Sequence, residues 1–304
     1  MNDQEFGIFP DRITIELSLS CNLMCSMCPR QFLNTPNGLM SRELFIKIVD
    51  EISGHPVSAV VIFFRGESLL HPDFLFMVDY LKKKTQAVIQ LATNGVLMIP
   101  ETGKYLLEAG MDFISFSVDA FKKETYEKIR KGGDFEKVLG HIHGFLKMKH
   151  SGNHTKTQVQ VSATQTEYNE AELFDFTRYW EQYADRVRIY PQHSENGKFG
   201  KISKNNDSPA RTQRAPCRKL FNDMVVYCTG DVAICNHDWN RGQKDFIGNL
   251  NTKGIKEIWN GEAYTKIREK HTTRNWGKEP VCSLCDHWYT GKDLYAGNLI
   301  QGKK

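Results

Sequence analysis

An α/β fold is predicted: a partial (β/α)6 barrel, mostly parallel, with a small hairpin-and-helix region after it. Three observations predict it. Residues 12 to about 191 alternate short β-rich apolar runs with stretches of helical spacing. The connections between these runs are short, so successive strands pair in parallel beneath covering helices. The eight cysteines fall into two groups, one after the first apolar run and one beyond residue 216, with no cysteine between.

The elements follow in order. Arg12-Ile13-Thr14-Ile15-Glu16-Leu17 is β-rich and runs directly into the first cysteines. Ser41 suits an N-cap, and Phe45, Ile48, Val49 and Ile52 then keep helical spacing. Ala59 to Phe64 is a continuous apolar run, as a parallel strand buried on both faces requires. A helix is expected over Phe74 to Lys84, a strand over Val88 to Ala92 and a helix over Glu101 to Ala109. Phe113 to Val118 reads as strand and Asp134 to Lys149 as helix. Val159 to Ala163, Glu170 to Tyr183 and Val187 to Tyr190 read as strand, helix and strand. Right-handed crossovers curl such a series into an open barrel. Its chemistry belongs at the carboxyl ends of the strands.

Residues 194 to 215 are polar, basic and Gly-bearing, and read as a linker. Beyond them, Met224 to Tyr227 and Val232 to Ile234 read as two strands around Thr229-Gly230-Asp231, and Ile255 to Lys270 as a helix. The expected organisation is a barrel over 1–195, a linker over 196–215, a second region over 216–292 and a tail over 293–304.

Composition narrows the function. The chain has 304 residues, with 40 basic against 36 acidic side chains and a net charge of +4. That balance argues against nucleic-acid binding. No apolar run approaches the roughly 20 residues of a membrane span. The start, MNDQEFGIFPDR, lacks a basic segment followed by an apolar one, so a cytoplasmic location is expected. Thiols stay reduced there, which points the cysteines towards metal or redox work instead of disulfides.

Cys21, Cys25 and Cys28 form a C-x3-C-x2-C triad. Three thiolates are one short of a closed structural zinc site. A [4Fe–4S] cluster has four irons, each normally given one thiolate, so three cysteines leave one iron open to a ligand. The triad resembles the signature of the radical S-adenosylmethionine (SAM) superfamily. Three more segments resemble that family's motifs: Phe64-Arg65-Gly66-Glu67-Ser68, Leu91-Ala92-Thr93-Asn94-Gly95 and Ser115-Phe116-Ser117-Val118-Asp119. The first departs from the usual pattern, with Arg65 in place of a glycine and Ser68 in place of a proline. The resemblance implies a cluster on Cys21, Cys25 and Cys28 whose open iron binds SAM. It implies SAM contacts from Gly66, Glu67, Asn94 and Ser117, and from Arg130 to the SAM carboxylate. Reductive cleavage of SAM would then yield a 5′-deoxyadenosyl radical that takes a hydrogen atom from a C–H bond.

In the second group, Cys217, Cys235 and the C-x2-C pair Cys282 and Cys285 fit zinc or a cluster by spacing alone. These four, with Ile247-Gly248-Asn249-Leu250 and Ile258-Trp259-Asn260 between them, resemble the SPASM/twitch extension of the superfamily. Four matching cysteines resemble its shorter, twitch version, which implies one auxiliary [4Fe–4S] cluster. Cys228 falls outside the set and reads either as an inert strand thiol or as a hydrogen-atom donor. The resemblance implies a proton-accepting role for His237, two residues after Cys235, where that extension usually has an acidic residue; the alternative is a solvent-facing histidine. Tyr190, Gln192 and His193 end the last barrel strand and are candidate cavity residues.

The resemblance implies a sugar-like polyol, aminocyclitol or aminoglycoside-type substrate, oxidised or epimerised, as in twitch aminocyclitol dehydrogenases. It also implies a flavodoxin- or ferredoxin-like electron donor. A peptide or protein maturase is the alternative within the superfamily, and a zinc-binding interaction protein the alternative outside it.

Overall fold

In the computed structural model, which describes residues 7–33, 37–192, 214–239, 247–275, 280–283 and 285, the chain enters the sheet at β1 (Arg12–Ile15). A two-residue strand, β2 (Met24–Cys25), lies in the loop that follows. Then come α1 (Arg42–Ser53), β3 (Ala59–Val61), α2 (Phe74–Lys84), β4 (Val88–Thr93), α3 (Pro100–Glu108) and β5 (Phe113–Ser117). These are followed by α4 (Lys123–Ile129), β6 (Arg130–Lys131), α5 (Phe135–Ser151), β7 (Gln158–Gln165), α6 (Leu173–Trp180) and β8 (Arg186–Pro191). The last part holds α7 (Lys219–Asn222), β9 (Asp223–Val226), β10 (Val232–Ala233), α8 (Ile255–Trp259), α9 (Glu262–Thr272) and α10 (Pro280–Ser283).

The main sheet runs β10-β9-β1-β3-β4-β5-β7-β8. Every pair in it is parallel except β9 with β10. The six strands β1, β3, β4, β5, β7 and β8 are those expected of the partial barrel, and helices separate them in sequence. Local chemistry sets the helix ends. Ser41 accepts the Leu44 amide and starts α1, which buries Leu44, Phe45, Ile48, Val49 and Ile52. Asp134 caps α5 by accepting from the Lys137 amide. Two of the strands are buried on both faces: Ala59, Val60 and Val61 of β3 are all in the core, and so is β7 from Val159 to Ala163.

Four details differ from the sequence expectation. The apolar run from Ala59 leaves the ladder after Ile62, whose amide still donates to Gln90 O (2.9 Å), and the freed residues carry Arg65-Gly66-Glu67. The hairpin of the second region is continuous with the barrel sheet, because β9 pairs with β1 from Arg12↔Asp223 to Ile15↔Val226. The single helix expected over 255–270 is broken at Asn260-Gly261 into α8 and α9. The helix expected from Glu170 begins with a 3-10 turn at Glu170–Glu172, and α6 itself ends at Trp180. Almost all of the linker and the whole tail lie outside the described residues. Among those described, no helix is long and apolar enough to cross a membrane.

Candidate active site

Because the barrel strands are parallel, the segments after β1, β3, β4 and β5 emerge at one end of the sheet. Each carries one of the sequence motifs. The cysteine triad lies in the loop after β1. That loop is fixed from two sides. Cys25 is opposite Arg130 and Met24 opposite Lys131 in the β2–β6 ribbon, and the Ser26 amide donates to Ile129 O (2.8 Å). On the other side, the Glu67 amide donates to Ser20 O (2.8 Å). Gly66 presses on the same stretch: a Cβ there would lie 2.2 Å from Ser18 O and 2.6 Å from Ser20 O. Only a glycine permits that approach.

Glu67 is buried and joins the ends of β3 and β4. Its carboxylate accepts from Thr93 Oγ1 (2.9 Å), the Asn94 amide (2.9 Å) and the Leu69 amide (3.3 Å). Burial pushes its pKa up, and the donated hydrogen bonds oppose that rise. Asn94 reaches the cysteine loop, with Nδ2 donating to Asn22 Oδ1 (2.8 Å) and standing 3.9 Å from Cys21 Sγ. Ser117 ends β5 and is half-buried. Arg130 is buried and forms an ion pair with Asp119, Nε donating at 2.8 Å and Nη2 at 2.6 Å to the same oxygen.

The three triad thiols stand within one another's electrostatic reach. Burial lifts all three, Cys25 to about 11, while Arg130 opposes the rise at Cys25. In the second group, burial first, and then the nearby thiols of Cys282, Cys217 and Cys285, push the Cys235 thiol well above the ordinary value, with Lys219 opposing the rise. The Cys217 amide donates to His271 Nδ1 (3.2 Å), and Arg214 Nη1 holds Cys282 O (2.6 Å). Cys217, Cys282 and Cys285 thus stand within electrostatic reach of Cys235. Among the described residues, no three Cys, His, Asp or Glu side chains stand close enough to grip a metal ion in this arrangement. The fit to iron–sulfur groups rests on the soft thiol donors, on their grouping, and on Arg130 and Lys219 beside them.

The two expected catalytic residues are placed differently. The His237 amide donates to Cys235 Sγ (3.4 Å), so His237 borders the second group and is half-buried. Cys228 stands against Glu16. Its amide donates to Glu16 Oε1 (3.1 Å), its thiol is hydrogen-bonded to the same carboxylate, and burial with Glu16 lifts that thiol to about 12. His193 lies outside the described residues, while Tyr190 Oη accepts from Gln160 Nε2 (3.2 Å).

Three residues went unassigned in the sequence. Glu16 and Arg65 form a buried two-point pair (2.6 and 2.8 Å), and the Arg65 guanidinium lies 3.8 Å from the Tyr227 ring centre. A charged residue ending an apolar strand, and an arginine in place of a motif glycine, were the available signals. Asp119, in the third motif, has φ +68°, and no sequence signal marks that conformation.

The model of the radical SAM superfamily matches residues 15–155, and that of SPASM, an iron–sulfur cluster-binding domain, matches 217–286. Together they imply a SAM-binding [4Fe–4S] cluster, an auxiliary iron–sulfur cluster and SAM as cofactors. The chain is 32% identical to the tungsten-containing aldehyde ferredoxin oxidoreductase cofactor-modifying protein of Pyrococcus furiosus, over 89% of this chain and 86% of that one. It is 28% identical to the GTP 3′,8-cyclase of Lactiplantibacillus plantarum over 59% of its length, spanning about half (53%) of the cyclase. Among solved structures, BtrN in complex with AdoMet and 2-DOIA superposes with a TM-score of 0.63 at 19% identity, covering 91% of this chain and 92% of BtrN. That likeness is one of fold.

Proposed function

The chain belongs to the radical SAM superfamily, and from that premise we propose that it oxidises or epimerises a small polyol, sugar or aminocyclitol at one carbon. Cys21, Cys25 and Cys28 would hold the SAM-binding cluster. When bound and reduced, that cluster supplies the electron that splits SAM into methionine and a 5′-deoxyadenosyl radical. Glu67, Asn94, Ser117 and Arg130 orient SAM from the ends of β3, β4, β5 and β6, with Gly66 holding the loop against them. Arg130 would take its carboxylate in a charge-assisted hydrogen bond.

In the oxidation, a carbinol carbon loses one hydrogen atom to the radical. His237 would take the hydroxyl proton, and Cys217, Cys235, Cys282 and Cys285 would hold an auxiliary cluster able to accept the remaining electron. The product is a ketone, and the count closes at two electrons and two hydrogens. In the epimerisation, Cys228 instead returns a hydrogen atom to the opposite face. The carbon is then inverted without net oxidation, and one electron from the flavodoxin- or ferredoxin-like donor and one proton from solvent would restore the thiol. A buried thiol lifted to about 12 keeps its hydrogen at neutral pH, which supports that role.

The observation that carries the proposal is that Cys217, Cys282 and Cys285 stand within electrostatic reach of Cys235 while Cys228 lies against Glu16. It supplies one auxiliary electron site and a separate thiol. The test uses candidate polyols deuterated at each carbinol carbon. Deuterium appearing in 5′-deoxyadenosine from one position supports the reading; SAM cleavage with no transfer from any of them contradicts it.

The Pyrococcus relative favours a second reading, in which the substrate is an organic cofactor or its precursor. SAM turnover stimulated by a purified cofactor precursor, and by no free polyol, would select it.

A further inference from the structure

Asp119 is an unusual residue for its place. It is not glycine, yet its φ is +68°, a conformation that costs L side chains energy. It is nearly inaccessible, and three groups hold it. Its Oδ1 accepts the Thr164 amide (2.7 Å), its carbonyl accepts Asn169 Nδ2 (2.6 Å), and its Oδ2 takes both Nε and Nη2 of Arg130. Asn169 is itself locked by accepting the Thr166 amide (2.7 Å). The loop after β7 thus holds a strained residue at the end of β5, with its carboxylate turned towards Arg130.

Arg130 faces Cys25 across the β2–β6 ribbon. Two of its three nitrogens are committed to Asp119, and among the described residues Nη1 makes no hydrogen bond, with Cys25 and Tyr126 within electrostatic reach of the guanidinium. We propose that Asp119 is a positioning residue: it fixes the Arg130 guanidinium so that one edge is held and Nη1 is presented, beside Cys25, to an anionic ligand. The inference rests on the reading above that Arg130 takes the SAM carboxylate. A free arginine would sample many rotamers, and holding one edge removes that entropy before the ligand arrives.

The test is equilibrium SAM binding to iron-reconstituted protein, with iron content and thermal unfolding measured alongside. Asp119→Asn tolerates positive φ and keeps an acceptor for Thr164, but lacks the charge that holds the fork. It is expected to weaken SAM binding at least tenfold with iron content unchanged. Arg130→Gln should weaken binding as much or more, and the double variant no further than Arg130→Gln alone, because Asp119 acts through Arg130. Arg130→Lys leaves the strained position untouched, so it reports even if Asp119→Asn fails to fold. A lysine holds Asp119 as a point charge with no second edge, and SAM binding should fall tenfold here too. Normal SAM affinity in Asp119→Asn or Arg130→Lys, with Arg130→Gln impaired, overturns the inference and leaves the Arg130 reading intact. Normal affinity in Arg130→Gln overturns that reading itself. Loss of iron or of unfolding temperature in Asp119→Asn matching its loss of affinity makes Asp119 a structural residue and also overturns the inference.

Discussion

Cys25 sits where the β2–β6 ribbon meets the triad, so its loss removes a thiol that the rest of the loop cannot replace. Cys25→Ala is expected to abolish 5′-deoxyadenosine formation from SAM under strong reductant; retained formation places the cofactor elsewhere. Cys228→Ala separates the two outcomes of the proposed chemistry. Lost epimer with clusters intact supports the hydrogen-donor role, and unchanged turnover supports oxidation with Cys228 as a wall residue. Glu16 is 0% and Arg65 7% exposed, so removing one partner strands a charge in the core. Arg65→Ala should cost about 3–5 kcal/mol in urea unfolding, and a cost near zero would mean that Glu16 finds water or another donor. His271 has its pKa pulled down to about 4, first by burial and then by Arg214. A histidine held below its unfolded value stays neutral in the fold while the unfolded chain takes up the proton. Stability is then complete above about pH 6.5 and falls as pH drops towards 4. His271→Gln should shallow that fall in thermal unfolding against pH; an unaltered profile would assign the acid sensitivity to other groups.

The elements show what a sequence can and cannot announce. The six barrel strands were legible because each is a local β-rich run and all but the last are followed by helical spacing, and the motifs were legible because they stand at or directly after those runs. The β2–β6 ribbon was not, since two-residue strands carry no period. Nor was the pairing of β9 with β1, whose partners are about 210 residues apart: Glu16 and Cys228, 212 residues apart, touch only through it. The break at Asn260-Gly261 was written in the sequence as a turn pair and was overridden by the apolar spacing on either side. A connection between the two regions also lies at this scale. Glu51, on α1, accepts the Ile255 and Lys256 amides (2.8 and 2.9 Å), and so caps α8 from outside. Lys47, one turn earlier, donates to Leu250 O (2.5 Å). Glu51→Ala is expected to destabilise the protein by about 1 kcal/mol, the usual worth of an N-cap, read as a lower unfolding temperature. No change would mean that water satisfies those amides equally well.

On the scale of the whole molecule, two thiol groups share one sheet. The triad follows β1, and the β9–β10 hairpin that places Cys235 is bonded to the other edge of β1. Two [4Fe–4S] clusters require about eight iron atoms and eight sulfides per chain. Anaerobic reconstitution should reach that count, and Cys235→Ala should reduce it by about half while sparing SAM cleavage.

The most direct measurement is electron paramagnetic resonance of the Cys235→Ala protein, reduced anaerobically, recorded before and after addition of SAM. A cluster held by only three thiolates should give a signal whose g-values move when SAM takes the fourth iron, and Cys25→Ala in the same background should give none. A signal that ignores SAM, or one that survives the loss of Cys25, contradicts the assignment on which the rest depends.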